Sequence, residues 1–122
     1  MNEEFMENLG REIRYVRIQV VDYENELQSI FGETPEVGKR CELTMVSDGK
    51  TNKKYGPYVY EVITVNGKSR TTYRGKYDGG KSIDKVSQIN KRYTRTRNLL
   101  RRLEELEEFV ENNWSELRTI NG

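Results

Sequence analysis

Tyr58-Val59-Tyr60-Glu61-Val62-Ile63-Thr64-Val65-Asn66-Gly67-Lys68-Ser69-Arg70-Thr71-Thr72-Tyr73 places two runs rich in Tyr, Val, Ile and Thr on either side of Asn-Gly. Such residues fit a pleated surface, and Asn-Gly accepts the positive φ that a two-residue type I′ turn needs at both positions. The stretch predicts an antiparallel hairpin. Its two-residue loop sets the register: Val65 opposite Lys68, Ile63 opposite Arg70, Glu61 opposite Thr72, and Val59 opposite Arg74. One face then carries Tyr58, Tyr60, Val62, Thr64, Thr71 and Tyr73; the other carries Val59, Glu61, Ile63, Val65, Lys68, Arg70 and Arg74. The tyrosine-rich face is expected to be the packed one, with the other side partly wet.

Working upstream, Cys41 to Val46 alternates as a further strand, with Cys41, Leu43 and Met45 on one side. Residues 47–54 form a polar loop with turn chemistry, and Gly56-Pro57 is expected to close it. Pro57 suits the first position of a strand, where its missing N–H is tolerated. A sheet region therefore occupies residues 41–77, followed by a glycine-bearing joint from Gly75 to Gly80.

Helical periodicity flanks the sheet. Over residues 2–31, Met6, Leu9, Ile13, Val16, Val20, Tyr23, Leu27 and Ile30 recur at alternating spacings of three and four. Asn2 can cap this helix, Glu3 and Glu4 suit the positive end of its dipole, Gly32 suits its C-terminus, and Pro35 bars continuation. A second helix over 81–118 carries Ile83, Val86, Ile89, Tyr93, Thr96, Leu99 or Leu100, Leu103, Leu106, Val110, Trp114 and Leu117. The expected fold is α+β within a single domain, 1–122. It has two long amphipathic helices, as a helical hairpin or coiled coil, and a small antiparallel sheet of two or three strands between them. Because the second helix is read as the longer, its overhanging surface, including Trp114 and Leu117, calls for a second copy, giving a homodimer.

Composition narrows the function classes. Hydrophobic residues make up 34% of the 122 and charged residues another 34%, lean for a globule but ordinary for paired helices. No apolar run approaches the ~20 residues needed to cross a bilayer, so no membrane partner is expected. The acidic start, Glu3, Glu4 and Glu7, is unlike a signal peptide, and a cytoplasmic protein is expected. Histidine is absent and Cys41 is the single cysteine, which removes His-based or multi-Cys zinc sites, the usual imidazole base and any intramolecular disulfide. No cofactor, metal or catalytic residue is expected.

Charge is segregated along the chain. Residues 39–102 hold 17 Lys or Arg against five Asp or Glu, whereas residues 1–38 carry a net −6 and residues 103–122 a net −5. A basic centre between acidic flanks steers polyanions towards itself. The segment Lys53-Lys54-Tyr55-Gly56-Pro57-Tyr58-Val59-Tyr60 interleaves cations for phosphates with rings that stack on bases. Lys68, Arg70, Arg74 and Lys76 add a basic hairpin, and Arg92 and Arg95 a basic helix start. These residues, with Lys53, Lys54, Tyr58 and Tyr60, form the candidate nucleic-acid site, with DNA ahead of RNA as partner. The alternative is a coiled-coil assembly or adaptor protein, prefoldin-like or other, whose charges pair with protein. Gly79-Gly80-Lys81-Ser82 resembles the tail of a phosphate-binding loop but lacks the parallel-sheet context such loops require. Cys41 reads as packing, and the Glu-rich stretch from 104 to 111 as helix surface.

The order helix, basic loop, Gly-Pro-Tyr-x-Tyr strand, Gly-Lys hairpin and long helix resembles a family of small uncharacterised archaeal and bacterial proteins. The residues that carry the likeness are Gly56, Pro57, Tyr58, Tyr60, Gly67, Lys68, Arg70 and Tyr73, then Tyr93, Leu99, Leu100 and Leu103, and it spans roughly residues 5 to 110. In that family a Cys/His knuckle precedes Gly-Pro-Tyr. Here only Cys41 stands in that region and Tyr55 occupies the place of the His, so the resemblance implies the architecture and a DNA-related role without metal binding.

Overall fold

A computed structural model describes residues 3–33 and 38–114. The chain is α+β: α1 (Glu3–Phe31), β1 (Lys39–Ser47), β2 (Lys54–Val65), β3 (Lys68–Lys76) and α2 (Ile83–Asn112). All three strands therefore lie between the helices in sequence. Glu3 and Glu4 fall in the first turn of α1, where the helix dipole favours them. At the other end Gly32 takes φ +77° and its N–H bonds the Gln28 carbonyl at 2.7 Å, the left-handed stop that glycine makes without steric penalty. Ser82 caps α2 through a 3.3 Å bond from the Lys85 N–H to its hydroxyl. The expectations for Asn2, Pro35 and Leu117 fall outside the described residues.

The strands form one antiparallel sheet in the order β1-β2-β3. Asn66 and Gly67 take φ 52° and 79°, as a type I′ turn requires, and Val65, Ile63 and Glu61 face Lys68, Arg70 and Thr72 as expected. The expected pairing of Val59 with Arg74 does not occur: the register shifts after Tyr60–Tyr73, and Val59 pairs with Gly75. Arg74 is the extra residue of a bulge, and Gly75 supplies the φ of +139° that the kink needs. Gly56-Pro57 does not close the β1–β2 loop either. β2 begins earlier, at Lys54, and the Gly-Pro pair sits at a second irregularity, between Thr44–Tyr58 and Val46–Tyr55. The loop is correspondingly short: the Asp48 N–H bonds the Lys53 carbonyl, and the Asp48 carboxylate accepts from the Lys50 N–H and the Thr51 hydroxyl. These bonds, the Lys50 one first, hold Asp48 below the usual carboxylate range.

The chain divides into two compact units, residues 1–22 with 92–122, and residues 23–91. In the first, Leu9, Ile13, Val16 and Val20 of α1 and Tyr93 and Val110 of α2 are buried. The first turns of α1 and the end of α2 share a groove lined by Glu3, Met6, Glu7, Glu111 and Trp114, so Trp114 lies beside α1 rather than on an overhang. Among the described residues the helices span 29 and 30 residues, and the expected continuation of the second to 118 falls outside them. Leu106, expected in the stripe, is exposed, because the inward face of α2 follows Leu100, Leu103, Glu107 and Val110 at helical pitch.

In the second unit Leu27, Cys41, Leu43, Val62, Val86 and Ile89 are buried. Cys41 pairs with Glu61 and Leu43 with Val59, so these four share one sheet face. Asn90 of α2 donates its side-chain N–H to the Cys41 carbonyl at 3.2 Å. The more deeply packed face is therefore that of Cys41, Leu43 and Glu61, although Val62 on the tyrosine face is also buried. This corrects the expectation for the tyrosine face, on which Tyr73 is 56% exposed and Tyr58 and Tyr60 are half-buried. The hairpin alone could not show this, since the two apolar residues that decide the packing lie on β1.

Candidate nucleic-acid interface

The unit of residues 23–91 holds an ionic cluster on the packed face of the sheet. Glu61 is nearly buried, and its Oε2 lies 3.4 Å from Lys39 Nζ and 3.5 Å from Arg74 Nη1. That oxygen is shielded from solvent and meets neither cation in hydrogen-bond geometry, so its charge is balanced by proximity alone. Glu33, just beyond α1, joins through Lys39 at 3.5 Å and Arg74 at 3.9 Å, and accepts the Cys41 thiol at 3.1 Å. The thiol bond, with Lys39 and Arg74 and against desolvation, holds Glu33 below the usual carboxylate range. Burial first, then the Glu33 hydrogen bond and the charges of Glu33 and Glu61, push Cys41 up to about 12. Burial opposes charge on Lys39, but Glu33 and Glu61 more than offset it and raise its pKa. Arg74, one of the expected phosphate contacts, is thus engaged in the fold. The bulge that displaces it from Val59 leaves it within reach of both carboxylates.

The other expected cations on the sheet are free of such ties. Lys53, Lys54, Lys68, Arg70 and Lys76 are exposed, and among the described residues none has a carboxylate within 4 Å. Lys53 lies over the Tyr55 ring at 5.5 Å. Lys50, at the tip of the β1–β2 loop, adds an exposed cation outside the expected set. These residues do not converge on one point. Lys68 faces Val65 beside the Asn66-Gly67 turn, whereas Lys76 faces Tyr58 at the opposite end of β3, eight residues and about 26 Å away. Lys54 pairs with Ser47 at that second end, next to Lys53 and Lys50. Arg92 and Arg95 are exposed on α2 in the other unit and belong to that unit's surface.

Tyr58, Tyr60 and Tyr73 gather on the sheet face away from Cys41. Tyr73 packs edge-to-face with Tyr58 at 5.9 Å and with Tyr60 at 5.7 Å between ring centroids. Arg40, paired with Val62, lies on the same face, though Glu42 holds its guanidinium at 2.8 Å. The expected site includes Tyr58 and Tyr60 but not Tyr73, the most exposed of the three. The signal was present in the Asn-Gly register, which already placed Tyr73 beside Tyr60.

The Gly79-Gly80-Lys81-Ser82 segment borders a cavity of about 570 Å³ lined by Pro57, Tyr77, Asp78 and Asp84. Lys81 is bound to Glu26 and Ser82 caps α2, so neither is poised as in a phosphate loop. Among the described residues no His, Cys, Asp or Glu group is arranged to hold a metal ion, and no helix is long and apolar enough to cross a membrane. No protein-family model, curated protein or solved structure matches the chain.

Proposed function

We propose that this protein binds nucleic acid, DNA ahead of RNA, through phosphate contacts made by the sheet. The observation that carries the reading is the set of exposed cations on the strands (Lys54, Lys68, Arg70 and Lys76) and on the β1–β2 loop (Lys50 and Lys53) that have no carboxylate within 4 Å among the described residues. Arg92 and Arg95 add exposed charge of the same sign on α2. Lys39, Arg74 and Lys81 are held by carboxylates; the exposed sheet and loop cations without one among the described residues are open to a polyanion. The role is binding, not catalysis, with little sequence preference because phosphates carry no sequence information. A mobility-shift titration against duplex DNA, single-stranded DNA and duplex RNA at several salt concentrations tests it. Salt-sensitive binding to at least one is expected, and no binding to any at low salt overturns the proposal.

A second reading has its own support. Leu99, Leu106 and Phe109 of α2 are exposed, a stripe that paired helices in a hairpin or coiled coil would cover with a second copy. A homodimer assembled on this stripe is compatible with nucleic-acid binding, and as the sole role it is the assembly or adaptor alternative.

A further inference from the structure

We infer that the ligand is taken as a single strand, with an unpaired base stacked on Tyr73 between Tyr58 and Tyr60. The inference rests on the nucleic-acid reading and narrows it to a ligand class and a place. Tyr73 stands on the solvent side of the sheet and is 56% exposed. The Tyr73 ring is not part of the core: the buried residues are Cys41 and Leu43 on the opposite face and, on its own face, Val62 of the neighbouring strand. Its orientation is nonetheless fixed, because Tyr58 and Tyr60 meet it edge-to-face from the neighbouring strand. A ring held in place and left wet is a preorganised stacking platform, and every base offers it a π-face once unpaired.

The cations are placed to match. Lys76 faces Tyr58 in the register, one pairing step beyond the bulge that follows Tyr73. Lys54 and Lys53 open β2 at the same end of the sheet. A strand whose base rests on Tyr73 meets these lysines with its backbone on one side. On the other it runs over Thr71, Thr64 and Ser69, whose hydroxyls line the face towards the turn. Duplex DNA keeps its bases stacked inside and offers this platform only phosphates.

Fluorescence anisotropy with a labelled oligothymidylate and a duplex of equal length, at one low salt concentration, tests the inference. Tyr73→Ala is expected to weaken single-strand binding about tenfold while leaving duplex binding within about twofold, and Tyr73→Phe to retain most of it. Lys54→Gln and Lys76→Gln are expected to weaken both ligands. An unchanged single-strand to duplex ratio in Tyr73→Ala overturns the stacking inference and leaves the phosphate reading standing; no binding of either ligand to the wild type overturns both. Should Tyr73→Ala fail to fold, the wild type decides: irradiation with a 5-iododeoxyuridine oligonucleotide is expected to cross-link Tyr73, and cross-links confined to other residues contradict the inference.

Discussion

Cys41 shows how far one side chain reports on its surroundings. Its thiol is buried, donates to Glu33, and has a pKa pushed up to about 12. The account expects no reaction of native Cys41 with a thiol reagent at pH 8 and full reaction after unfolding; rapid labelling of the folded protein would contradict it. An unfolded thiol ionises above its ordinary value of 9.0 while the folded one does not, so stability falls as pH rises from there towards about 12. Lys39, raised above 10.5, contributes stability that is lost only as pH climbs through its higher folded value. Glu33 and Asp48, both lowered, contribute stability that is full above their ordinary values of 4.5 and 3.8 and disappears as pH drops through the folded ones. Thermal melts across pH should therefore plateau near neutrality, and Cys41→Ala should delay the alkaline decline. Glu61 gives a second test. Replacing both Lys39 and Arg74 by Met strands a buried carboxylate, a loss of about 3–5 kcal/mol by analogy with other broken buried pairs. Adding Glu61→Leu should recover much of that stability, and a triple variant no more stable than the double would show the cluster is not organised around Glu61. None of this cluster was legible in sequence, because Glu33, Glu61 and Arg74 are brought together by a bulge and a helix end, neither of which leaves a periodic signature.

At the scale of elements, the Asn66-Gly67 hairpin is the part most directly readable. Both turn residues take positive φ, and three of the four expected pairings occur. Gly67→Pro, which cannot adopt that φ, should disrupt the hairpin and lower the melting temperature; an unchanged melt and near-UV spectrum would contradict the turn assignment. The fourth pairing failed because a bulge changes register without changing the alternation of residue types seen in the sequence. In α1 five of the eight expected stripe residues, Leu9, Ile13, Val16, Val20 and Leu27, are buried, and Met6, Tyr23 and Ile30 are half-buried. Helix α2 was less legible, since Leu99 and Leu106 fit an apolar repeat yet are exposed. A helix with leucines on two faces does not declare which face is covered. β3 is an edge strand, and Lys68, Arg70, Arg74 and Lys76 along it also discourage pairing with stray strands. If edge protection were their whole role, Lys68→Gln, Arg70→Gln and Lys76→Gln together would promote aggregation without altering nucleic-acid affinity.

Over the whole chain the dominant feature is the sequence of charge, net +12 across residues 39–102 between acidic flanks. That much is plain from the order of the residues. What the sequence hid is how the charge is divided: Lys39, Arg40, Arg74 and Lys81 are occupied by carboxylates, while the remaining sheet cations have none among the described residues. Self-association is tested by sedimentation equilibrium at micromolar protein. The dimer reading expects a species of twice 14.4 kDa that Leu106→Glu with Phe109→Glu returns to monomer, and a clean 14.4 kDa wild type would sink it. The central claim is that the unpaired cations meet phosphates, and each contact releases counterions. The most direct measurement is the affinity for DNA as a function of salt. With about five cations engaged on duplex DNA, log K should fall against log salt with a slope of about −4 to −5, and each single Gln substitution at Lys53, Lys54, Lys68, Arg70 or Lys76 should flatten it by about one. No binding at low salt to duplex DNA, single-stranded DNA or duplex RNA, or a slope that none of these substitutions changes, would contradict the account.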